Sequence, residues 1–248
     1  MNFQDTQLIG VLARAESTVS SLSNLLGGLV EKFAARGYSL YLVGGSVRDA
    51  LLGRLGNDLD FTTPARPEVV KEILDEWAET VWDTGIDFGT VSAAYKGQQI
   101  EITTFRSDSY DGQSRNPEVV YGDTLEGDLV RRDFKANAMA IELLADASFK
   151  FHDPLHGLQD IADRVLDTPD KPEISFHDDP LRMLRAARFA SQLEFRVADR
   201  VVEAMRDMAG EIQRITVERV QVELDKLICG TAPWDGIDLL VSTGIADY

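Results

Sequence analysis

The feature that most constrains the fold is a short apolar run that ends at two glycines. Residues 38–43 read YSLYLV, and Gly44 and Gly45 follow at once. Apolar residues at helical spacing continue to residue 53, so this segment predicts a strand, a tight turn and a helix. Glycines at such a junction let backbone N–H groups approach a phosphate, and the N-terminus of a helix favours negative charge. A tight turn without any ligand explains the two glycines equally well.

The next predicted strand, residues 59–63, alternates acidic and apolar side chains. Because side chains alternate along a strand, Asp58 and Asp60 share one face while Leu59 and Phe61 enter the core. Neighbouring carboxylates repel each other unless cations lie between them, and Mg²⁺ often binds through one or two carboxylates together with substrate phosphates. Asp58 and Asp60 are therefore candidate metal ligands, and a solvated strand face is the alternative.

A third carboxylate, Glu101, lies in a predicted strand over residues 99–105, which forms a hairpin with residues 90–95. Ile100 and Ile102 face the other way, and a carboxylate in a central strand is costly unless it has a partner. Three carboxylates on adjacent strands beside a Gly-Gly turn suit phosphoryl or nucleotidyl transfer with two metal ions.

Two segments carry arginines suited to phosphates. Arg131-Arg132-Asp133 is followed by Asn137; arginine makes bidentate phosphate contacts, and aspartate accepts hydrogen bonds from a ribose hydroxyl. An exposed Arg-Arg pair without a ligand is the alternative for this segment.

The second segment is the predicted helix DDPLRMLRAARF, which begins with Asp179 as its N-cap and Pro180 at its first position. Its helical spacing places Arg182, Arg185 and Arg188 in one sector, apart from an apolar stripe.

The charge balance limits any nucleic-acid hypothesis. The chain of 248 residues has 25 Lys and Arg against 42 Asp and Glu, a net charge of −17, so its overall field repels nucleic-acid phosphates. Residues 181–200 hold five arginines and two acids, a local balance of +3 (5 − 2). This segment is the basic patch that binding of RNA requires.

Composition and pattern also predict the location and the domains. The sequence shows no apolar run long enough for a membrane span, no secretion signal and a single cysteine, Cys229, which together predict a cytoplasmic protein. We expect an arm over residues 1–21, an α/β head over 22–165 and a helical neck over 166–248. A long polar loop is predicted over 107–123, and mainly helical structure after residue 124.

Five motifs in one order now carry a resemblance: LVGGSVRDALLG, Asp58-x-Asp60-Phe61, RRDFKANAMA, DPLHGLQD and DDPLRMLRAARF. Together they resemble the bacterial and eukaryotic tRNA nucleotidyltransferase and poly(A) polymerase family, over roughly residues 38–230. The resemblance implies an α+β fold, a nucleotidyltransferase palm of mixed sheet and helices followed by an all-helical neck. It also implies addition of C and A from CTP and ATP to the 3′ end of tRNA, with release of pyrophosphate.

The resemblance also implies roles for individual residues. The phosphates of the nucleotide would meet Gly44, Gly45, Arg48 and Arg132, the ribose would meet Asp133 with Asn137 nearby, and the metals would bind Asp58 and Asp60 beside the catalytic Glu101. Asp179 and Arg182 would read the Watson–Crick edge of the base, and Arg185 and Arg188 would add positive charge. Asp153, Gly157 and Asp160 match a hinge-like motif. Asp178 stands where many relatives have glutamate.

The family pattern continues past residue 248 into body and tail domains that hold tRNA, so we expect this chain to be shortened, with tRNA affinity affected more than nucleotide binding. The alternatives are a poly(A) polymerase of the same family, a small-molecule nucleotidyltransferase and a non-catalytic RNA-binding module. A metal site of His152, His156 and His177 is a further, weaker hypothesis, because these histidines lie inside motifs that the resemblance already explains.

Overall fold

The computed structural model describes residues 3–107 and 120–248. Its helices are α1 (Phe3–Ala35), α2 (Gly44–Leu51), α3 (Pro67–Asp75), α4 (Leu125–Val130), α5 (Gly157–Asp163), α6 (Pro172–Asp178), α7 (Leu181–Leu193), α8 (Asp199–Asp207), α9 (Val217–Ile228) and α10 (Pro233–Ser242). Its strands are β1 (Leu40–Val43), β2 (Asp58–Thr63), β3 (Thr80–Trp82), β4 (Thr90–Tyr95), β5 (Gln98–Thr104), β6 (Arg106–Ser107), β7 (Val120–Tyr121), β8 (Ala140–Leu143), β9 (Phe149–His152), β10 (Val165–Leu166) and β11 (Arg196–Val197).

Contacts within the chain form two compact units. The sheet unit comprises the described residues up to Val130 together with Asn137–Leu155. The helical unit comprises Arg131–Ala136 and His156–Tyr248. The sequence predicted boundaries after residues 21 and 165, between arm, head and neck. The contacts change after residue 155 and assign the short segment after Val130 to the helical unit.

The sheet unit is built on seven strands in the order β3-β4-β5-β2-β1-β8-β9. The strands β2 and β5 run parallel, and the other neighbours are antiparallel. One face of this mixed sheet is apolar, because alternate residues of its central strands are buried: Leu42, Leu59, Phe61, Ile100 and Ile102. Helices α2 and α3 contact the strands, and α1 contacts both helices.

The opposite face of the sheet is apolar at its β1–β8 end. There Val43 and Ala140 pack with Phe105 and with Leu125 and Leu129 of α4. Helix α4 therefore covers one end of this face, and the strand surface that carries Asp58 and Asp60 lies beside it in the sheet order.

The helical unit is organised around α7, whose buried residues include Met183, Ala186 and Ala190 of the predicted apolar stripe. Helix α10 lies so close to α7 that a Cβ on Gly236 would stand 2.6 Å from the carbonyl oxygen of Ala187, which requires glycine there. A short parallel pair, β10 and β11, adds the only strand pairing described in this unit. The fold is thus α+β, a mixed palm sheet followed by a mainly helical region, as predicted.

The first helix begins earlier than the sequence predicted. It starts at Phe3 and runs through the segment that was predicted as an arm. Val11 and Val19 are buried and continue the apolar stripe of Leu22, while the serines that interrupt the pattern, such as Ser17 and Ser20, are exposed. Polar residues on the solvent side of an amphipathic helix do not end it.

Four short strands, β8 to β11, interrupt the mainly helical structure that the sequence predicted after residue 124. Strands β8 and β9 complete the sheet on one side of β1. In a strand of four residues, apolar and polar side chains alternate over too short a length for hydrophobic periodicity to distinguish the strand from a helix. Within the predicted polar loop, β6 and β7 pair at its ends, and residues 108–119 lie outside the described residues. Among residues 3–107 and 120–248, no helix combines the length and apolar character of a membrane span.

Candidate functional site

Asp58, Asp60 and Glu101 form a surface that we call the carboxylate face. In the parallel pairing of β2 with β5, Asp60 stands opposite Glu101 and Asp58 stands opposite Gln99. All three acids are exposed while their strand neighbours Leu59 and Ile100 are buried, which confirms the predicted alternation. The predicted cost of burying Glu101 does not arise, because its side chain faces solvent.

The three carboxylates share a face without converging on one point. Within residues 3–107 and 120–248, no three acidic, histidine or cysteine side chains lie close enough to hold one metal ion. The donor set nevertheless fits Mg²⁺, which takes one or two protein carboxylates and completes its shell with water and substrate phosphates. Asp58 and Asp60, two residues apart on the exposed face of β2, provide such a pair.

Helix α2 begins directly at the two glycines. Gly44 has φ +68°, a left-handed conformation that favours glycine. Gly45 does not, and a Cβ added there would meet only ordinary contacts, the nearest 3.4 Å away on Arg48. No side chain among the described residues caps the start of α2. The described contacts therefore explain the glycine at position 44 but leave the one at 45 without a steric reason.

Ser46 joins the start of α2 to the strand that carries the carboxylates. Its hydroxyl accepts a hydrogen bond from the backbone N–H of Asp60 at 2.9 Å and donates one to the carbonyl oxygen of Asp58 at 3.3 Å. The residue is buried, with 4% of its surface exposed. The sequence analysis missed Ser46, whose only local signal is its position directly after the glycines.

Arg48 is held by protein partners. Its Nε and Nη2 atoms donate to the two carboxylate oxygens of Asp49 at 3.0 and 2.9 Å, and its Nη1 donates to Oδ1 of Asn137 at 2.7 Å. The guanidinium is buried, so these bonds compensate its desolvation. The structure thus brings together Arg48 and Asn137, two predicted nucleotide-binding residues, and a phosphate would have to compete with Asp49 for the arginine.

In the helical unit, Asp133 is also engaged. One carboxylate oxygen accepts the backbone N–H of Phe134 at 2.8 Å, and the other accepts Nε of Arg185 at 2.7 Å. Burial lowers the pKa of Arg185, but the charge and hydrogen bonds of Asp133 outweigh it, so the pKa lies above the ordinary value. Asp133 is buried, and a ribose hydroxyl would compete with Arg185 for its oxygens.

Arg188, the third arginine of the predicted sector, is buried against Glu223 of α9. Its Nη1 atom lies 3.1 Å from Oε2 of Glu223, and the two side chains are 8% and 5% exposed. The Arg188 guanidinium also lies 4.2 Å from the ring centroid of Phe189. The sequence analysis missed Glu223; its signal is an acid four residues before the buried Leu227, on the apolar side of α9.

Asp179 and Arg182 are joined through the backbone but have different side-chain partners. The carbonyl of Asp179 accepts the N–H of Arg182 at 3.0 Å. The Asp179 carboxylate accepts Nη2 of Arg219 at 3.0 Å, while Arg182 donates to Oγ of Ser175 at 2.8 Å and to the carbonyl of Arg131 at 2.6 Å. Helix α7 begins at Leu181, so Pro180 rather than Asp179 is its N-cap; Asp179 still accepts the N–H of Leu181 at 3.2 Å.

The predicted basic patch is largely neutralised by acids from elsewhere in the helical unit. Of the five arginines in residues 181–200, Arg185 pairs with Asp133, Arg188 with Glu223 and Arg200 with Asp167. Lys135 shares Asp167 at 2.7 Å. The local balance of +3 is therefore a property of the sequence segment and is not free surface charge. Arg132 lies half-buried in the turn before Asp133.

The hinge-like motif spans the boundary between the units. Asp153 belongs to the sheet unit, whereas Gly157 and Asp160 belong to the helical unit. His152 lies 3.2 Å from Glu142, and His156 and His177 are exposed. Since no metal-binding cluster occurs in the part of the chain that the structure describes, the histidine metal site is not supported.

Comparison with protein families gives two matches in chain order. Residues 40–167, more than half of the chain, match the poly A polymerase head domain. Residues 194–248 match the family described as "Probable RNA and SrmB- binding site of polymerase A". The first match contains the carboxylate face, the start of α2 and Asp133.

Curated relatives include CCA-adding enzymes of Listeria innocua, 40% identical over 221 residues, and of Levilactobacillus brevis, 43% identical over 213 residues. These alignments cover 89% and 86% of this chain but 54% and 52% of the relatives. The chain thus spans about half the length of the curated relatives it matches.

Solved structures agree with the sequence relatives. A crystal structure of the Bacillus stearothermophilus CCA-adding enzyme in complex with CTP matches with a TM-score of 0.77 at 36% identity, over 90% of this chain and 52% of that one. A tRNA nucleotidyltransferase complexed with a primer tRNA and an incoming ATP analog matches with a TM-score of 0.73 at 26% identity, over 92% of this chain and 61% of that one. From its motifs, its palm sheet and these matches, the chain belongs to the poly A polymerase head domain family.

Proposed function

We propose that the chain is a template-independent RNA nucleotidyltransferase that adds C and A to the 3′ end of tRNA from CTP and ATP. The observation that carries the proposal is the carboxylate face, two exposed aspartates on one strand with Glu101 opposite Asp60. Relatives named CCA-adding enzymes, and a related structure that contains CTP, support this substrate class. We propose the cytoplasm as the place of this reaction, as the sequence predicted.

In this reaction the 3′-hydroxyl of the RNA attacks the α-phosphate of the nucleotide and pyrophosphate leaves. Asp58 and Asp60 would hold two Mg²⁺ ions, with Glu101 as the third acid. The chemistry that bound Mg²⁺ supplies is a lowered pKa of the attacking hydroxyl and partial neutralisation of the triphosphate charge. The role of the chain is to hold these carboxylates exposed and in register on a rigid sheet.

The start of α2 is suited to the triphosphate. Its first N–H groups have no side-chain cap among the described residues, and the helix N-terminus favours anions. A glycine at position 45, which no steric contact demands, allows a phosphate to approach the backbone. Arg48 would act chiefly by fixing α2 to Asn137, because its donors already bind protein partners. Arg132 would contact the triphosphate.

The helical unit would supply base recognition. A carboxylate accepts from an exocyclic amine and a guanidinium donates to a ring nitrogen, a combination that matches both cytosine and adenine. Asp179 and Arg182 provide this pair: Asp179 directly precedes the N-cap of α7, and Arg182 lies in the first turn of the helix. A base could replace the present protein partner of each side chain. Arg185 would order Asp133 for the ribose, and Arg188 would stabilise α7.

Two other functions are compatible with the family. A poly(A) polymerase would use the same residues and would accept ATP alone, as the name of the head-domain family suggests. A non-catalytic RNA-binding module would not need Asp58 and Asp60, and the second family match favours RNA contact in residues 194–248.

Incubation of the chain with tRNA lacking its 3′ CCA, Mg²⁺ and each labelled nucleotide in turn tests the proposal. We expect incorporation from CTP first and from ATP after CTP. Incorporation from ATP alone, in long tails, would indicate the polymerase. Binding of the RNA without any metal-dependent incorporation would indicate the binding module.

A further inference from the structure

The bonds of Ser46 occupy the part of the β2 edge at Asp58 and Asp60, along which no other strand pairs within residues 3–107 and 120–248. The register of β1 with β2 contains Tyr41 opposite Thr62 and Leu42 opposite Phe61. Two residues after Leu42 the chain turns into α2 at Gly44, so β1 does not continue alongside Asp58 and Asp60. The polar groups of β2 on that side need another partner, since an unpaired buried backbone group is costly.

One hydroxyl provides that partner for both groups. In an extended strand, the carbonyl of one residue and the N–H two residues later point to the same edge. The Ser46 hydroxyl donates to the carbonyl of Asp58 and accepts from the N–H of Asp60, so its single donor and one lone pair replace a neighbouring strand residue. The backbone between the two aspartates is thereby bound to the first turn of α2.

We propose that Ser46 is a positioning residue for catalysis. By holding the Asp58–Asp60 backbone, it fixes the spacing of the two carboxylates relative to each other and to the start of α2. The inference rests on the proposed function, in which the carboxylates bind metal and the start of α2 binds the triphosphate. Ser46 does not touch substrate itself, and its buried hydroxyl acts only through the two aspartates.

Thr63 offers a matched control on the same strand. Its hydroxyl also makes two backbone bonds, donating to the carbonyl of Ser39 at 2.7 Å and accepting the N–H of Ala65 at 3.3 Å. It is fully buried and lies at the end of β2 away from the two aspartates. Thr63→Val keeps the shape of the side chain and removes the hydroxyl, so it measures the structural cost of such a loss.

The kinetic test compares Ser46→Ala, Ser46→Thr and Thr63→Val with the parent in CTP incorporation. We expect Ser46→Ala to lower kcat by about 10- to 100-fold, the usual effect of removing a group that orients a metal ligand, with little change in the KM for CTP. The Mg²⁺ concentration for half-maximal rate should rise. Thr63→Val should leave both quantities near those of the parent.

A Ser46→Ala protein whose kinetic constants match those of Thr63→Val would overturn the proposal, as would a loss confined to KM. A Ser46→Thr protein that folds like the parent should recover most of the rate. If it folds but remains as slow as Ser46→Ala, the hydroxyl is not the responsible group and the proposal fails.

A binding measurement separates this inference from the proposed function. Titration of Mn²⁺ into the nucleotide-free proteins, followed by electron paramagnetic resonance, needs no transfer activity. We expect Ser46→Ala to bind Mn²⁺ about tenfold more weakly than the parent and Thr63→Val to bind it equally well. If the parent incorporates no nucleotide but this difference appears, the proposed function fails, while the positioning of the metal-binding aspartates by Ser46 stands. Equal affinities, or a parent that binds no Mn²⁺, would overturn the role of Ser46.

Discussion

Two regions of the molecule, the carboxylate face and the Arg188–Glu223 pair, place charged side chains in opposite environments. On the carboxylate face of the sheet unit, Asp58, Asp60 and Glu101 are exposed on neighbouring strands. In the helical unit, Arg188 and Glu223 are 8% and 5% exposed and pair with each other. Like charges stand side by side in the first region, whereas opposite charges are paired in the second.

This difference separates charges that are suited to binding a cation from charges that stabilise the fold. Adjacent exposed carboxylates repel each other, and a bound cation offsets that repulsion. A buried ion pair is already compensated, so its members stabilise the fold and are available to a ligand only by exchange. We therefore expect substitutions on the carboxylate face to change activity at constant stability, and substitutions in the buried pair to change stability.

The largest effect is expected from Asp58→Ala and Asp60→Ala. Each should reduce nucleotide incorporation by on the order of 10²–10³-fold or more, as for the loss of one electrostatic contact to the transition state. Removal of one carboxylate relieves repulsion, so the metal-free variants should melt no lower than the parent. Incorporation assays and thermal unfolding in a chelator measure the two quantities. A clearly lower melting temperature together with lost activity would make these aspartates structural.

Glu223→Ala should show the opposite behaviour. It leaves the buried Arg188 without its carboxylate partner, and breaking such a pair costs about 3–5 kcal/mol in the free energy of unfolding. Asp225→Ala, an exposed acid on the same helix, is the control and should change stability by less than about 0.5 kcal/mol. Urea unfolding measures both. Equal effects of the two substitutions would contradict the assignment of Glu223 to the buried network.

The selectivity among nucleotides tests whether Asp179 and Arg182 exchange their protein partners for the base of the nucleotide. Uracil and guanine present the wrong polarity to a carboxylate and a guanidinium, and each unpaired group costs about 1–3 kcal/mol. Asp179→Ala and Arg182→Ala should therefore narrow the preference for CTP and ATP over UTP and GTP. Incorporation of all four nucleotides into one RNA measures this, with Arg196→Ala as an exposed arginine control. An equal loss of incorporation for all four nucleotides would indicate that Asp179 and Arg182 do not read the base.

The smallest effect concerns Asp167, which binds Lys135 and Arg200. Burial raises the pKa of Asp167, but its hydrogen bonds to these cations lower it more, so the folded value lies below that of the unfolded chain. Its contribution to stability is present above the unfolded pKa of about 3.9 and is lost as the pH falls through the folded pKa. Because Arg200 is 43% exposed, we expect Asp167 to contribute only about 1 kcal/mol to the free energy of unfolding. The stability difference between the parent and Asp167→Asn should vanish at acid pH; a difference that persists there would contradict this.

Sequence pattern predicted the parts of the fold that depend on neighbouring residues. The alternation of Asp58, Leu59 and Asp60 is a local property, and the structure has it in β2. The partners of the arginines are not local: Asp133 and Glu223 lie 52 and 35 residues from Arg185 and Arg188. Hydrophobic period carries no information on such pairs, which is why the predicted basic patch included charges that the fold neutralises.

The local sequence pattern also did not predict where the first helix starts. The first helix starts as early as Phe3 because Ser17 and Ser20 fall on the solvent side, a fact that depends on which face packs. The exposure of Glu101 was likewise not predictable, since a strand near the centre of a sheet can have one face open to solvent.

The most direct test of the carboxylate face as a metal-dependent catalytic site is CMP incorporation into tRNA lacking its 3′ CCA by the parent and by Asp60→Asn. This substitution keeps the shape of the side chain and removes its charge. We expect Mg²⁺-dependent incorporation by the parent that a chelator abolishes, and none by an Asp60→Asn protein with an unchanged melting temperature. Incorporation by Asp60→Asn at the rate of the parent, or incorporation by the parent in the chelator, would contradict it.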